Sequence, residues 1–408
     1  MEQMAIKECC GDCQRSNEMK NREIPKGLRD LLPEEVAVQR SMEQKAAHLF
    51  TSYGYREVVT PTCEFLDVVE AGTGGDIRKE LFMFMDRDGG ILCLRPEMTV
   101  SIARLAATHM QDEGFPQRLY YMCNVFRHVQ PQRAQYREFW QLGIELLGAS
   151  GVWADAEVIT IAAKTMRAMG LDDFKISLNQ IAIFNSLLND SGLGESDQNQ
   201  IRHLVERKDL VELARVLEGL DIKDAIKESI ALMPVLHGGL EVLNRLPFAE
   251  HNRQAAEAVG ELERIYQALQ ACGVIEHIVL DLGVLRGLDY YTGVVFEGYS
   301  PDLGYGLLGG GRYDNLMGHF GFDRPATGFA LGLDRLALVL DQPKELPRRF
   351  LVGGADFATV VAEADRLREQ GCMVEMDVEG CSKEQLQAKL HGRNDYHLIY
   401  LGEDQEVN

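Results

Sequence analysis

Residues Val125 to Gly148 read VFRHVQPQRAQYREFWQLGIELLG, two strands joined by a long polar loop. Side chains alternate faces along a strand. On the second strand Arg137, Gln141 and Glu145 therefore share one face, with Phe139 and Gly143 between them. Glu138, Trp140, Leu142, Ile144 and Leu146 take the other face, and on the first strand Arg127 and Val129 share a face. Two guanidinium groups, an amide and a carboxylate on one face of a largely apolar hairpin are costly to bury without partners. They are better explained as the wall of a polar pocket. The chemistry of such a wall is recognition: guanidinium for a carboxylate, carboxylate for an ammonium or a ring N–H.

The elements that must hold this hairpin are legible on both sides of it. Glu34 to Tyr53 carries Val36, Met42, Ala46, Leu49 and Phe50 at helical spacing, and Gly54 ends the helix. Tyr55 to Pro61 reads as a strand closed by proline, and Phe82 to Leu94 as a hairpin with a Gly89-Gly90 turn. Arg95-Pro96-Glu97-Met98-Thr99 follows, helical from Thr99 through His109. Lys175 to Leu178 is a short strand, and residues 183–274 form an inserted run of helices. Strand patterning returns at His277 to Leu285 and runs through Phe296, and Asp334 to Leu340 closes this domain as a helix. A linker at 341–347 leads to a β-α-β-α-β unit over 348–408, expected as a parallel or mixed sheet. Residues 1–23 are polar and without periodicity, which predicts a disordered tail.

Composition narrows the function classes. The chain has 408 residues, 46% hydrophobic and 26% charged, enough for two or three domains of a soluble globular protein. No apolar run is long enough for a membrane span, and the N-terminus has no signal-peptide core, so no membrane partner and a cytoplasmic location are expected. The formal net charge of -21 weighs against a nonspecific nucleic-acid binder. Cys63, Cys93, Cys123 and Cys272 lie in apolar or strand-like surroundings and read as reduced core thiols. Cys10 and Cys13 have the spacing of a metal half-site, but no second pair matches it, so no metal and no cofactor are expected.

Five segments together resemble the catalytic core of the class II histidyl-tRNA synthetases: RPEMT at 95–99, the hairpin at 125–148, LRGLDYYTGVVFE at 285–297, GGGRYD at 309–314 and ATGFALGLDRL at 326–336. They occur in the family's order, and the likeness covers residues 24–340. It implies an α+β fold, an antiparallel sheet with flanking helices, followed by a small α/β domain similar to a truncated anticodon-binding domain. The helix and strand at 34–61 resemble motif 1, which implies a homodimer. Free histidine needs a carboxylate for its ammonium, a guanidinium for its carboxylate, and a donor and an acceptor for its ring. By position-by-position resemblance Glu97, Thr99 and Gln141 take the ammonium, Arg127 and Arg286 face the carboxylate, and Glu145 and Tyr291, with Tyr290 beside them, hold the ring. Glycines 309 to 311 would let the backbone approach the ligand.

The nucleotide side departs from the synthetase pattern. Val129 stands where the family has a glutamate, Gln130 where an arginine is usual, and Ala134-Gln135 where it has Gly-Arg. Arg335 is kept. FEGYSPDLGYGLLGGGRYD, LRPEMTVSIARL and LHGGLEVLNRL are similar instead to the regulatory-subunit family of ATP phosphoribosyltransferase, synthetase relatives of histidine biosynthesis that lack aminoacylation. That resemblance implies a noncatalytic, allosteric subunit that mediates feedback inhibition by L-histidine. Its partner is a short-form catalytic subunit, in a hetero-octamer, with no tRNA bound.

Each residue also has a plain structural use. Glu97 could cap the helix that starts beside it. Glu145 and Arg137 could be an ion pair, and Tyr290 and Tyr291 ordinary strand aromatics. A second functional reading is an active histidyl-tRNA synthetase, which predicts an intact motif 2 and a basic tail domain. From Lys344 onward acidic residues outnumber basic ones. A third is a histidine-sensing module for another partner.

Overall fold

The computed structural model describes residues 23–73, 75–130, 135–246, 252–285, 290–340 and 348–402. The tail expected before residue 23, with its cysteines, and the linker at 341–347 lie outside the described residues. The chain divides between residues 341 and 342 into two compact units.

The first unit opens with α1 (Pro33–Ser52), which has proline in its first turn and Glu34 and Glu35 beside the N-terminal amides. Gly54, at φ +82, turns the chain out of it. Met42, Ala46 and Phe50 form its buried stripe, and that stripe is covered by the chain's own core. Val36, expected on the apolar face, is exposed. The strand expected over Tyr55–Pro61 shortens to β1 (Arg56–Glu57), because it has one neighbour only, at the edge of the main sheet. The next elements are β2 (Cys63–Phe65), α2 (Leu66–Thr73), β3 (Met83–Met85) and β4 (Ile91–Leu94). β3 and β4 form the expected hairpin and with β2 make a three-stranded sheet.

Then come α3 (Thr99–His109), β5 (Gln117–Phe126), β6 (Glu138–Leu147), α4 (Val152–Met169) and β7 (Lys175–Gln180). The helical insertion contains α5 (Ile181–Ser191), α6 (Glu195–Glu206), α7 (Leu210–Gly219), α8 (Asp224–Leu232) and α9 (Arg253–Ala271). It is not purely helical: β8 (His237–Gly238) within it pairs with β9 (Ile278–Asp281). β10 (Val294–Tyr299), β11 (Leu308–Arg312), β12 (Ala326–Gly332) and the short α10 (Leu333–Leu336) complete the unit. Cys93 and Cys123 are buried as expected, but Cys272 is exposed because it caps α9 at the surface.

The main sheet has nine strands in the order β1-β5-β6-β12-β11-β10-β7-β9-β8. Its pairs are antiparallel except β1 with β5 and β7 with β9. The central hairpin follows the alternation expected of it. Leu142, Ile144 and Leu146 pack into the larger core with α1 and α4, while Tyr121, Val125 and Phe139 belong to the core under α3. The second unit is a parallel sheet, β13 (Arg349–Gly354) between β14 (Met373–Met376) and β15 (Tyr396–Leu401). Its helices are α11 (Phe357–Glu369), capped by Asp356, and α12 (Lys383–Lys389), capped by Ser382.

Candidate functional site: a polar cavity on the central hairpin

A cavity of about 290 Å³ opens on the sheet face beneath α3. This is the small end of the ~300–1,000 Å³ typical of ligand pockets. Glu97, Thr99, Arg127, Gln141, Tyr290 and Tyr291 all line it, although they come from segments spread over nearly 200 residues. Arg286 lies outside the described residues. Arg137 does not reach the cavity: it precedes β6, and its Nε donates to the Val129 carbonyl at 3.0 Å. Of the three glycines expected beside the ligand, Gly309 lines the cavity. Gly310 makes room instead for Phe296 and Phe329, and Gly311 for the Tyr291 ring.

Glu145 is placed one layer behind the lining. It is buried, its Oε1 accepts from the Thr99 hydroxyl at 2.8 Å and its Oε2 from the Tyr313 hydroxyl. The cavity opens over the first half of β6, and beyond Gly143 the Tyr121 ring covers the strand. Glu145 therefore meets the cavity through Thr99 and Tyr313. Burial pushes its carboxyl up to about 8, against the opposing pull of those two hydroxyls. Gly328, across the register from Glu145, has no space for a Cβ because the carboxylate occupies it.

Glu97 has two jobs. Its carboxylate accepts the N–H groups of Thr99 at 2.7 Å and Val100 at 2.9 Å, capping α3, and it also faces the cavity. Burial raises its carboxyl above the usual range, and the two backbone amides and the nearby Arg127 oppose that shift. The Nε of Arg127 donates to the Pro96 carbonyl at 3.0 Å, which ties the hairpin to the segment before α3. Tyr290 and Tyr291 contact each other at 4.8 Å between ring centroids, and Tyr290 meets Tyr313 edge-on at 5.7 Å.

Two lining residues escaped the reading of the sequence. Tyr121 is buried, and its hydroxyl has no partner among the described residues. It stands on β5 at the same parity as Arg127 and directly opposite Gly143, so alternation alone could have found it. Tyr313 is the tyrosine of the GGGRYD motif. The side-chain amide oxygen of Gln141 is likewise buried without a partner among the described residues.

The far end of the cavity is lined by Glu80, Val129, Gln135, Tyr136, Asp334 and Arg335. Val129 places an aliphatic side chain there, while Gln130 is exposed and off the wall. Arg335 donates to the Gly306 carbonyl at 2.7 Å. Asp334 accepts from Arg29 at 2.6 Å and from the Trp140 amide at 2.6 Å. The groups assembled here suit an amino acid at one end: carboxylate, guanidinium, amide and phenols around a hydroxyl and an amide oxygen that have no partner among the described residues.

The histidyl-tRNA synthetase family profile matches residues 27–336. An ATP phosphoribosyltransferase regulatory subunit from Moorella thermoacetica is 41% identical over 383 residues, which is 93% of this chain and 98% of that protein. The chain belongs to the ATP phosphoribosyltransferase regulatory subunit family, built on the histidyl-tRNA synthetase fold. A second such subunit, from Desulfitobacterium hafniense, is 38% identical over 89% of this chain and 93% of its own length. A crystal structure described as an ATP phosphoribosyltransferase regulatory subunit/histidyl-tRNA synthetase from Bacillus halodurans superposes with a TM-score of 0.85 at 30% identity. It covers 94% of this chain and 99% of that one. Among the described residues no helix is long and apolar enough to cross a membrane.

Proposed function

We propose that this chain is the noncatalytic regulatory subunit of an ATP phosphoribosyltransferase, required for the first step of histidine biosynthesis. It works in the cytoplasm with a short-form catalytic subunit and binds L-histidine in the cavity on β6, which mediates feedback inhibition. Family membership over nearly the whole chain supports the partner. The cavity supports the ligand: Glu97 and Gln141 suit an ammonium, Arg127 a carboxylate, and Thr99, Tyr313, Tyr290 and Tyr291 an imidazole.

One observation carries the noncatalytic reading. Val129 lines the nucleotide end of the cavity where synthetases carry a glutamate, so a contact that holds ATP for charge stabilisation is missing. The chain therefore neither aminoacylates tRNA nor exchanges pyrophosphate.

The test is co-purification with the catalytic subunit followed by a phosphoribosyl-transfer assay with and without histidine. The expected result is activity that needs both chains and falls as histidine is added. Activity of the catalytic subunit alone, unchanged by this chain, would overturn the reading. Histidine-dependent pyrophosphate exchange well above background would favour the synthetase instead.

A further inference from the structure

A second cavity, of about 640 Å³, adjoins the first, and Glu297 and Gly306 line both. It opens between the helical insertion and the main sheet. Glu206 and Lys208 come from the insertion, Ser177 from β7, Asp281 from β9, and Glu297 and Tyr299 from β10. Glu297 stands directly opposite Ser177 across the β7–β10 ladder, so the two side chains share one face, about 5 Å apart at their Cβ atoms. Ser177 is only 5% exposed, and its hydroxyl has no hydrogen-bond partner among the described residues. The half-buried Glu297 carboxylate likewise has no ion pair or hydrogen bond among them. It packs against Gly306 so closely that a Cβ there has no room. A buried hydroxyl open toward a cavity, with an unpaired carboxylate beside it, is an arrangement that native structures normally satisfy with a partner.

The charge on the walls selects the kind of partner. Glu206, Asp281 and Glu297 face one basic residue, Lys208, and Asp281 already holds its ammonium at 2.8 Å. That balance disfavours a phosphate or a nucleotide. Among the described residues no group of three metal-ligating side chains forms, so the walls do not suit a metal ion either. An organic cation fits them. A guanidinium fits better than an ammonium: its planar fork can give one N–H to the Glu297 carboxylate and another to the Ser177 hydroxyl. Its plane can also lie on the ring of Tyr299 or Tyr305. The chain already makes one such contact itself, with the Arg335 guanidinium 5.6 Å from the Tyr305 ring centroid. Val284, Leu285 and Leu303 supply an apolar wall for the aliphatic stem that such a group carries.

We propose that the second cavity is a subsite for a guanidinium group on an aliphatic chain, held by Glu297 and Ser177. Two sources carry that chemistry, a free guanidino compound and an arginine side chain of the catalytic subunit. This inference does not depend on the histidine reading. The test is calorimetry of the full chain with n-butylguanidinium and with n-butylurea, its uncharged analogue of similar shape. The cation should bind with a Kd of about 1 mM or tighter. The urea should bind at least about tenfold more weakly. Glu297→Gln should weaken the cation about tenfold to hundredfold, because it removes the charge from the accepting group. Ser177 lines the second cavity and not the first, and Ser177→Ala should weaken the cation about threefold to tenfold. Thermal unfolding of both variants should match wild type, and excess histidine should not displace the probe. With the catalytic subunit bound, loss of probe binding identifies the occupant as a side chain of that subunit, and retained binding identifies a free compound. No binding of the cation, equal binding of the urea, displacement by histidine, or indifference to both substitutions would overturn the proposal.

Discussion

Thr99 donates its hydroxyl hydrogen to Glu145 across 2.8 Å, joining the first turn of α3 to the middle of β6. With Tyr313 on the other oxygen, the carboxylate is held by two hydroxyls and, among the described residues, by no cation. Its two partners both line the cavity, so the charge state of one buried group sets the orientation of the ligand-facing surface.

Glu145→Ala should weaken histidine binding more than Glu138→Ala. Glu138 accepts from the Asn124 amide at 2.7 Å and lies off the cavity wall. Removing the carboxyl leaves the Thr99 and Tyr313 hydroxyls, which line the cavity, without their acceptor, and an unsatisfied polar group costs about 1–3 kcal/mol, roughly a fivefold to hundredfold change in Kd. Calorimetry with both variants is the measurement. Equal affinity in wild type and Glu145→Ala would mean that the cavity is not where histidine is read.

Stability should fall with rising pH through the range set by Glu145. Its carboxyl is pushed up to about 8 when folded, against about 4.5 for an exposed glutamate. Between those limits the folded state holds a proton that the unfolded chain has lost, so the unfolded state binds fewer protons. The stability contribution is complete at the acid end and is lost as pH rises toward 8. For one proton the slope approaches about 1.4 kcal/mol per pH unit. Glu145→Gln should flatten that part of the curve in urea melts. Parallel curves for the two proteins would refute a raised carboxyl.

Gly328→Ala should cost stability and histidine affinity together. The added methyl collides with the Glu145 carboxylate and the Ile144 carbonyl, neither of which can retreat from a paired strand. Overpacking of this kind costs about 1–3 kcal/mol. A variant with unchanged unfolding and unchanged binding would show that β12 can move away from β6.

Arg312 and Asp155 form a buried pair, with Nε to Oδ2 at 3.1 Å and Nη2 to Oδ1 at 2.8 Å. It fastens β11 to the first turn of α4. Arg312→Met leaves the buried Asp155 without its cation and should destabilise by about 3–5 kcal/mol, whereas Asp155→Asn leaves Arg312 its pair with Asp314 at 3.0 Å and should cost less. The double variant should lose much less than the sum. Strict additivity in chemical unfolding would mean that the two do not act as a pair.

The hairpin face, the helix after Glu97 and the five-element tail unit were all legible in the sequence, because period-2 alternation and capping are local rules. Arg137 was misplaced because alternation continues on paper past the point where β6 begins. Parity and the family resemblance both put Glu145 on the pocket face, and neither tells how deep a residue lies. Its depth depends on Tyr121 on β5, which covers the strand at Gly143, and on Tyr313 just after β11, which bonds its carboxylate. The extent of the insertion was readable from helical spacing, but β8 was not, since a two-residue strand exists only by virtue of its neighbour β9.

The floor and the rim of the cavity are built from different material. Under the end lined by Glu97 and Gln141, Gly143 and Gly328 meet backbone carbonyls, Tyr121 and Glu145 so closely that a methyl group has no place. Drift by single substitutions is closed to that floor, because every alternative residue collides. The rim at Val129 and Gln135 is side chain only, and side chains can be exchanged without moving a strand. A lineage relieved of the need to activate an amino acid would thus shed its nucleotide contacts first. The mould for the amino acid would persist as long as the sheet itself does.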